Sequence, residues 1–378
     1  MKRVPLIASL VLLCTAAHAE RLLLDTARSP RFWSTSNGAE FPGATIQMNT
    51  LHDPQRGTCL QGMCQFAGES RYAGLQWRGR IDQGQALGFW IWLSIGNDGG
   101  VRVLDSSGQW FAGGYKAQGG AWSLAQVPLT TTAFTHHWGG ANDGQLHFPI
   151  TAVLITVGRG PDQREFRVSN LHVEQATIAP EERLRMVVVP SGASGVLLEG
   201  ETAAPVVKFI NRTEQPLSTA AHMLARTTAG TATEGVLPVT LQAWEQKEVP
   251  AWIRLETSTP GYTQLEVSAT LPDARPVRAV SGLAVVPRPR HYGQAAPDCY
   301  FGIQHLNDFE AAERLGAKAL RHFLFWRYTE VQQGQLGWGA TDAAVQGAEQ
   351  HHLDVQLTVV LTAPGWIGWD LKLSLIHI

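Results

Sequence analysis

The chain has 378 residues, length enough for two or three domains at roughly 100–200 residues each. Hydrophobic residues make up 44% and charged residues only 16%, which excludes a disordered chain; 38 glycines and 13 tryptophans suit β-rich, turn-rich extracellular domains better than a helical cytosolic one. A net charge of −2 with no long Lys/Arg run offers a phosphate backbone no electrostatic footprint, so nucleic acid is excluded as a partner.

Residues 1–19 read as an export signal. Lys2 and Arg3 form a positive start, 4–14 an apolar stretch and Ala17-His18-Ala19 a small-x-small cleavage site. The stretch is too short to span a bilayer, and no later apolar run of about 18 residues follows. A lipoprotein reading centred on Cys14 meets bulky Leu13 where a small residue belongs. Cleavage after Ala19 into a periplasmic or extracellular space is therefore expected. Cys14 leaves with the signal, so Cys59, Cys64 and Cys299 remain. Cys59 and Cys64 bracket Leu-Gln-Gly-Met, and a disulfide closing that short loop is expected in an oxidising compartment. A metal site or plain buried thiols are the alternatives, and no second pair with ligand spacing supports zinc.

From 20 to 177 the sequence reads as short strands between Gly-rich turns, the clearest at 87–95, 101–104, 121–127, 150–157 and 165–173. Breakers such as Asn97-Asp98-Gly99-Gly100 and Ser106-Ser107-Gly108 separate them, and no helical periodicity of useful length interrupts. An antiparallel sandwich is the natural packing. Trp90 and Trp92 fall on one side of a strand and are expected in the core; Trp122, after paired glycines, allows the same orientation. From 180 to 287 a second β pattern runs: 186–189, 196–198, 206–210, 220–225, 239–244, 249–255, 264–271 and 277–286 predict eight strands, a spacing that suits an immunoglobulin-like sandwich. Nothing in it looks chemical, and it reads as a spacer. Pro287-Arg288-Pro289-Arg290 opens a stiff linker over 288–298.

Beyond the linker the period changes. A strand at 300–304 precedes a helix that Asn307 and Glu310 begin like a capping box, with Phe309, Ala312 and Leu315 on one face. A buried strand at 319–326, a helix capped by Thr341 and a strand at 354–361 follow. Strand, helix, strand, helix, strand is the order of a parallel α/β structure.

The pieces Phe301-Gly302, Leu315-Gly316-Ala317-Lys318-Ala319-Leu320-Arg321, Phe325-Trp326-Arg327-Tyr328-Thr329-Glu330, Gly334-Gln335-Leu336-Gly337-Trp338, Asp342 and Leu361-Thr362-Ala363-Pro364-Gly365-Trp366 resemble, in that order, the opening of clan A glycoside hydrolases, the retaining (β/α)8-barrel enzymes of xylosidase-like, iduronidase-like and galactosidase-like groups. The resemblance implies that 299–366 is the first third of such a barrel, with three strands and two helices. It implies that Arg321 reaches a nucleophilic carboxylate, and places Trp326 and Trp366 after strands two and three, where an indole could stack on a sugar ring. A structural ion pair for the Arg and plain packing for the Trp residues are the alternatives. Glu330 matches a structural Glu of the family's turn. Retaining hydrolysis needs two carboxyl groups about 5–5.5 Å apart, which the family carries after strands four and seven. Asp342, Asp354 and Asp370 make no such pair, so this chain is expected to be truncated and inactive, with 367–378 foreign to the family pattern.

Glu40-Phe41-Pro42-Gly43-Ala44, Asp105-Ser106-Ser107-Gly108-Gln109, Gly120-Ala121-Trp122 and the run from His137 to Gly144 are similar to galactose-binding-like jelly rolls, carbohydrate-binding modules often placed ahead of polysaccharide-degrading domains. Sugars present apolar C–H faces to aromatic rings and hydroxyls to polar side chains, so Trp110, His136, His137, Trp138, Asn142 and Asp143 are the candidate carbohydrate contacts. Turn formation is the other reading of Asn142-Asp143-Gly144, and adjacent His136 and His137 without a third ligand are a weak metal signal. The resemblance allows a structural calcium without assigning its ligands; no other cofactor is expected. The functional expectation is a fragment of an exported glycoside hydrolase that binds poly- or oligosaccharide, the alternative a non-catalytic carbohydrate-binding surface protein.

Overall fold

The computed structural model describes residues 19–362 apart from 39, 97, 161–162, 273, 297, 300, 305–307 and 331–332. Residues 1–18 of the expected export signal, Asn307, Trp366 and the segment 367–378 thus lie outside the described residues. The protein is mostly β, arranged in several sheets. None of the described helices is long and apolar enough to cross a membrane.

The first strands are β1 (Glu20–Asp25), β2 (Trp33–Ser36), β3 (Ala44–Asp53), β4 (Gly57–Phe66), β5 (Tyr72–Ile81) and β6 (Ala86–Leu93). They continue with β7 (Asp98–Leu104), β8 (Trp110–Lys116), β9 (Trp122–Pro128), β10 (His136–Trp138), β11 (Ile150–Gly158) and β12 (Gln163–Gln175). Two six-stranded sheets result, one ordered β3-β4-β12-β6-β9 with β1 also on β12, the other β10-β8-β7-β11-β5-β2. Side chains alternate across a strand, so each sheet offers one apolar face. Phe89, Ile91 and Phe166 from the first meet Val103, Phe111 and Ile155 from the second in a single dry core. Each such side chain contributes roughly 1.5–3 kcal/mol by leaving water.

That alternation overturns the expectation for Trp90 and Trp92. Phe89, Ile91 and Leu93 are fully buried, and the two indoles between them stand half-buried on the opposite face. Both sets of β6 are apolar, so period alone does not choose. The aliphatic and Phe set fills the layer between the sheets, while guanidinium groups cover the indoles: Arg56 lies 3.3 Å from the Trp90 ring centroid and Arg167 lies 4.1 Å from that of Trp92. Trp122 pairs across from Trp92 and shares this outer face.

The Cys59–Cys64 disulfide is also overturned. Both residues lie on the single strand β4, five positions apart, and both thiols are free. An odd separation puts their side chains on opposite faces, Cys64 in the core and Cys59 outside it. Gly62 between them makes no turn: a Cβ there would stand 2.4 Å from the Phe166 ring, so the glycine makes room for a core side chain. Burial pushes the Cys59 thiol up to about 11 and the Cys64 thiol up to about 12. Neither should react with a thiol reagent at neutral pH until the chain unfolds; rapid native-state labelling of Cys59 or Cys64, read by peptide mass, would contradict this arrangement.

A second set follows: β13 (Leu184–Val189), β14 (Val196–Leu198), β15 (Val206–Asn211), β16 (Leu217–Thr227), β17 (Ala232–Leu241), β18 (Gln246–Pro250), β19 (Gly261–Ala269) and β20 (Val277–Val286). All eight coincide with the expected strands to within a few residues at most ends. They form sheets β13-β15-β18 and β14-β20-β19-β16-β17 around a core of their own that includes Phe209, Met223, Leu241 and Val267. Backbone pairing joins the two sets: Leu23 donates its N–H to the Arg212 carbonyl at 2.8 Å.

The last segment holds β21 (Gly302–Gln304), α1 (Phe309–Arg314), β22 (Ala319–Phe325), α2 (Trp326–Thr329), α3 (Gly339–Gln350) and β23 (Asp354–Val360). The strands pair in parallel in the order β21-β22-β23, as the sequence predicts, and among the described residues they form an open sheet, not a barrel. Asp308, not Asn307, caps α1, its carboxylate accepting the Ala311 N–H at 3.0 Å. Ala311 and Ala312 are buried there while Leu315, expected inward, is 41% exposed; α3 starts two residues before Thr341. Leu320 packs with Ala312, Ala348 and Leu353 on the helix-covered face, and the alternating set Arg321, Phe323 and Phe325 takes the other.

Candidate functional site

Strand β10 is three residues long and pairs antiparallel with β8, which sets Trp138 opposite Trp110 and His136 opposite Ala112. Trp138 is 39% exposed, whereas its cross-strand neighbour Trp110 is half-buried. The next strand, β7, brings Arg102 to the same outer face, because Val101 and Val103 on either side point into the core. Its guanidinium lies 5.2 Å from the Trp138 ring centroid and 4.2 Å from that of Tyr72. The same group donates to the Tyr72 hydroxyl at 2.8 Å and to Glu40 Oε1 at 3.0 Å, and the Tyr72 hydroxyl donates to Glu40. Burial opposes ionisation of Glu40, but hydrogen bonds from Tyr72 and Arg102 outweigh it and hold the carboxyl below its usual value. Burial, then the bond to Glu40, pushes the Tyr72 phenol up to about 12.

A lock of buried polar groups fixes the loop after β10. Asp105, with no exposed side-chain surface, accepts through Oδ1 from the Ser107 N–H at 2.9 Å, the Ser107 hydroxyl at 2.7 Å and the Gln109 N–H at 2.9 Å. Its Oδ2 accepts the His147 N–H at 3.1 Å and lies 3.1 Å from His147 Nδ1. Burial works against this carboxylate, yet the bonds from Ser107, Gln109 and His147 hold it below the usual range. Buried Gln109 donates to the Gln145 carbonyl at 3.0 Å and to Asp143 Oδ1 at 3.3 Å, and His147 Nε2 stands 3.3 Å from Asp143 Oδ2. Gly140, in the left-handed region at φ +52°, passes so close that a Cβ would stand 2.3 Å from the Gln109 nitrogen.

The expected residues therefore divide. Trp110 and Trp138 come together on one face with His136 beside them. Asp143 turns back into the loop, accepting the Gln145 N–H at 2.9 Å, and is part of the lock. Asn142 has φ +51° and sets its Oδ1 3.2 Å from His137 Nδ1, which is turn chemistry. His136 and His137 are adjacent on a strand and face opposite ways, and His136 Nδ1 instead meets the Thr135 hydroxyl at 2.9 Å. Among the described residues no group of three or more His, Cys, Asp or Glu is placed to hold a metal ion. Sequence reasoning missed Arg102 and Tyr72; the available signal was Arg102 alternating with two valines in a strand otherwise read as apolar.

In the parallel segment Arg321 is exposed on β22, donates to the Thr358 hydroxyl at 2.9 Å and lies 5.0 Å from the Phe323 ring centroid. Trp326 donates its indole N–H to Glu330 Oε2 at 2.5 Å, and Glu330 Oε1 accepts the Gly334 N–H at 2.7 Å. Those bonds, the backbone one first, hold the Glu330 carboxyl below its usual value and make it a loop brace.

No protein-family model matches the chain, and no curated protein matches it. Similar solved structures include a family 39 glycoside hydrolase from Bacteroides cellulosilyticus WH2 at 18% identity and TM-score 0.30, over 46% of this chain and 34% of that one. The agarase AgWH50C shares 10% identity at TM-score 0.28, over 43% of this chain and 26% of its own length. A Bacteroides uniformis β-glucuronidase shares 12% identity at TM-score 0.25, over 78% of this chain and 38% of that one. The chain thus spans well under half of each of these glycoside hydrolases, and overlaps of such low TM-score carry no inference about it.

Proposed function

We propose that the chain is an exported carbohydrate-binding protein in which 20–177 is a galactose-binding-like jelly roll, 180–287 an immunoglobulin-like spacer, 288–298 a linker and 299–366 the opening of a (β/α)8 glycoside-hydrolase barrel. In a complete barrel of that kind a proton-donating carboxyl and a nucleophilic carboxylate cleave a glycosidic bond with retention. The role proposed for the described residues is carbohydrate binding. The observation that carries it is the exposed Trp138 ring beside Arg102, whose own partners, Tyr72 and Glu40, hold it still. An indole face takes the C–H face of a pyranose, and the fixed guanidinium and carboxylate offer hydroxyl groups donors and acceptors at no further ordering cost.

The test is calorimetric titration of the chain with neutral xylan, galactan and agarose oligosaccharides. At least one should bind, and Trp138→Ala should weaken it about tenfold or more, an aromatic contact being worth ~1–2 kcal/mol. Binding that Trp138→Ala leaves unchanged would sink the assignment, as would no binding across the panel.

A further inference from the structure

We infer that the junction between the first and second β units is a second binding site, for a sugar carrying an anionic substituent, carboxylate or sulfate. The ligand being a sugar rests on the function proposed above; the site itself does not. A cleft of about 460 Å³ lies there, between the end of β1 with the segment that follows it and the outer face of the sheet β13-β15-β18. Register sets that face: Arg185 pairs with Ile210, and Val187 with Lys208 and through it Glu248. Leu24, Val187 and Ile210 give the cleft an apolar floor.

Its rim is basic. Arg28, Arg31, Arg185, Lys208 and Arg212 line it against only Asp25 and Glu248, in a chain whose overall charge is −2. Neither carboxylate forms a close ion pair with these arginines, although the charge of Arg185 is felt at Asp25. Glu248 pairs with Lys208 at 2.8 Å, and Asp25 turns away, accepting the Ala27 N–H at 2.6 Å and the Trp33 indole N–H at 3.1 Å. Among the described residues Arg28, Arg31 and Arg185 have no carboxylate within ion-pair distance. Phe32 stands at the mouth, 41% exposed, with the Arg31 guanidinium 5.4 Å and the Arg185 guanidinium 6.0 Å from its ring centroid. A ring flanked by two guanidiniums, each a planar fork of donors, matches a pyranose that offers one apolar face and one carboxylate or sulfate. Arg212 is not among the contacts, since its guanidinium already binds the Leu23 and Glu182 carbonyls.

The experiment titrates the whole chain with oligogalacturonate, with sulfated carrageenan oligosaccharides, with neutral galactan oligosaccharides and with sodium sulfate alone. At least one acidic oligosaccharide should bind at low ionic strength and weaken as salt rises. The double variant Arg31→Ala/Arg185→Ala, both sites exposed, should lose about tenfold or more, Phe32→Ala about threefold to tenfold, and Trp138→Ala nothing. Preference for the uronate arm or the sulfated arm identifies the substituent. Loss of acidic binding in Trp138→Ala with none in the arginine variant would overturn the second site while leaving the first. Equal binding of neutral and acidic oligosaccharides, or of free sulfate as well as any sugar, would overturn it too. Failure of the neutral panel alone would strike the Trp138 reading and not this one.

Discussion

Asp105→Ala should destabilise the chain by about 3 kcal/mol. Five donor groups converge on this carboxylate, three backbone N–H groups among them, and its side chain has no exposed surface. Removing it leaves buried donors without an acceptor, which costs more than the bonds themselves are worth. Asn is a poor replacement: its amide must face either the Ser107 and Gln109 donors or the His147 donors, whichever way it turns. The folded carboxyl sits below its unfolded value, so its contribution is fully present above the unfolded pKa of about 3.9 and is lost as pH falls through the lower, folded one. Denaturant titrations should therefore show the gap between the wild type and Asp105→Ala widest at neutral pH and closing toward pH 2–3. A gap independent of pH would mean that the carboxylate's charge is not what the donors require. Because the same lock anchors the loop behind Trp138, the variant should also bind neutral sugar less tightly.

Much of this fold is written in local pattern, and the limits are equally local. Several strands of the second unit are legible because they alternate, as in 206–211 with Val207, Phe209 and Asn211 buried in turn. The parallel segment is legible because helix and strand periods succeed one another within 299–362. What the sequence conceals is choice between two apolar faces. In β6 both alternating sets qualify for the core, and only packing against β12 and β8 assigns Phe89 inward and Trp90 outward. In β4 the pair Cys59 and Cys64 around a glycine imitates a disulfide loop, and the meaning of Gly62 depends on Phe166, about a hundred residues away. The candidate site divides likewise. Trp110 and Trp138 are visible as aromatics near turn residues, but Arg102, Tyr72 and Glu40 converge from separate segments, and no spacing encodes that. Asp143 looked like a ligand-facing carboxylate and is an anchor, since its partners Gln109 and His147 come from either side of it in the fold.

Arg212→Ala should uncouple the two β units. Each has its own core, and hydrogen bonds from and to Arg212 cross between them: Leu23 N–H to the Arg212 carbonyl at 2.8 Å, and Arg212 Nε to the Leu23 carbonyl at 2.7 Å. The guanidinium also reaches the Glu182 carbonyl at 3.3 Å, tying β15 to the turn where one unit passes into the other. Burial lowers the pKa of this arginine, partly offset by the charge of Glu182; a cation is tolerated there because carbonyls replace its water. Truncation would strand two carbonyls and open a void at the junction, at a cost of about 2–4 kcal/mol. Lys would not rescue it, since one ammonium cannot span both carbonyls in the plane that the guanidinium provides. Scanning calorimetry should show the transitions of the two units drawing apart in Arg212→Ala, while secondary structure at 25 °C stays unchanged. The acidic-sugar affinity of the junction cleft should fall with them even though Arg212 touches no ligand, because the walls carrying Arg31 and Arg185 would no longer be held at one spacing. Unchanged calorimetry together with unchanged affinity would show that the junction is held by something other than this residue.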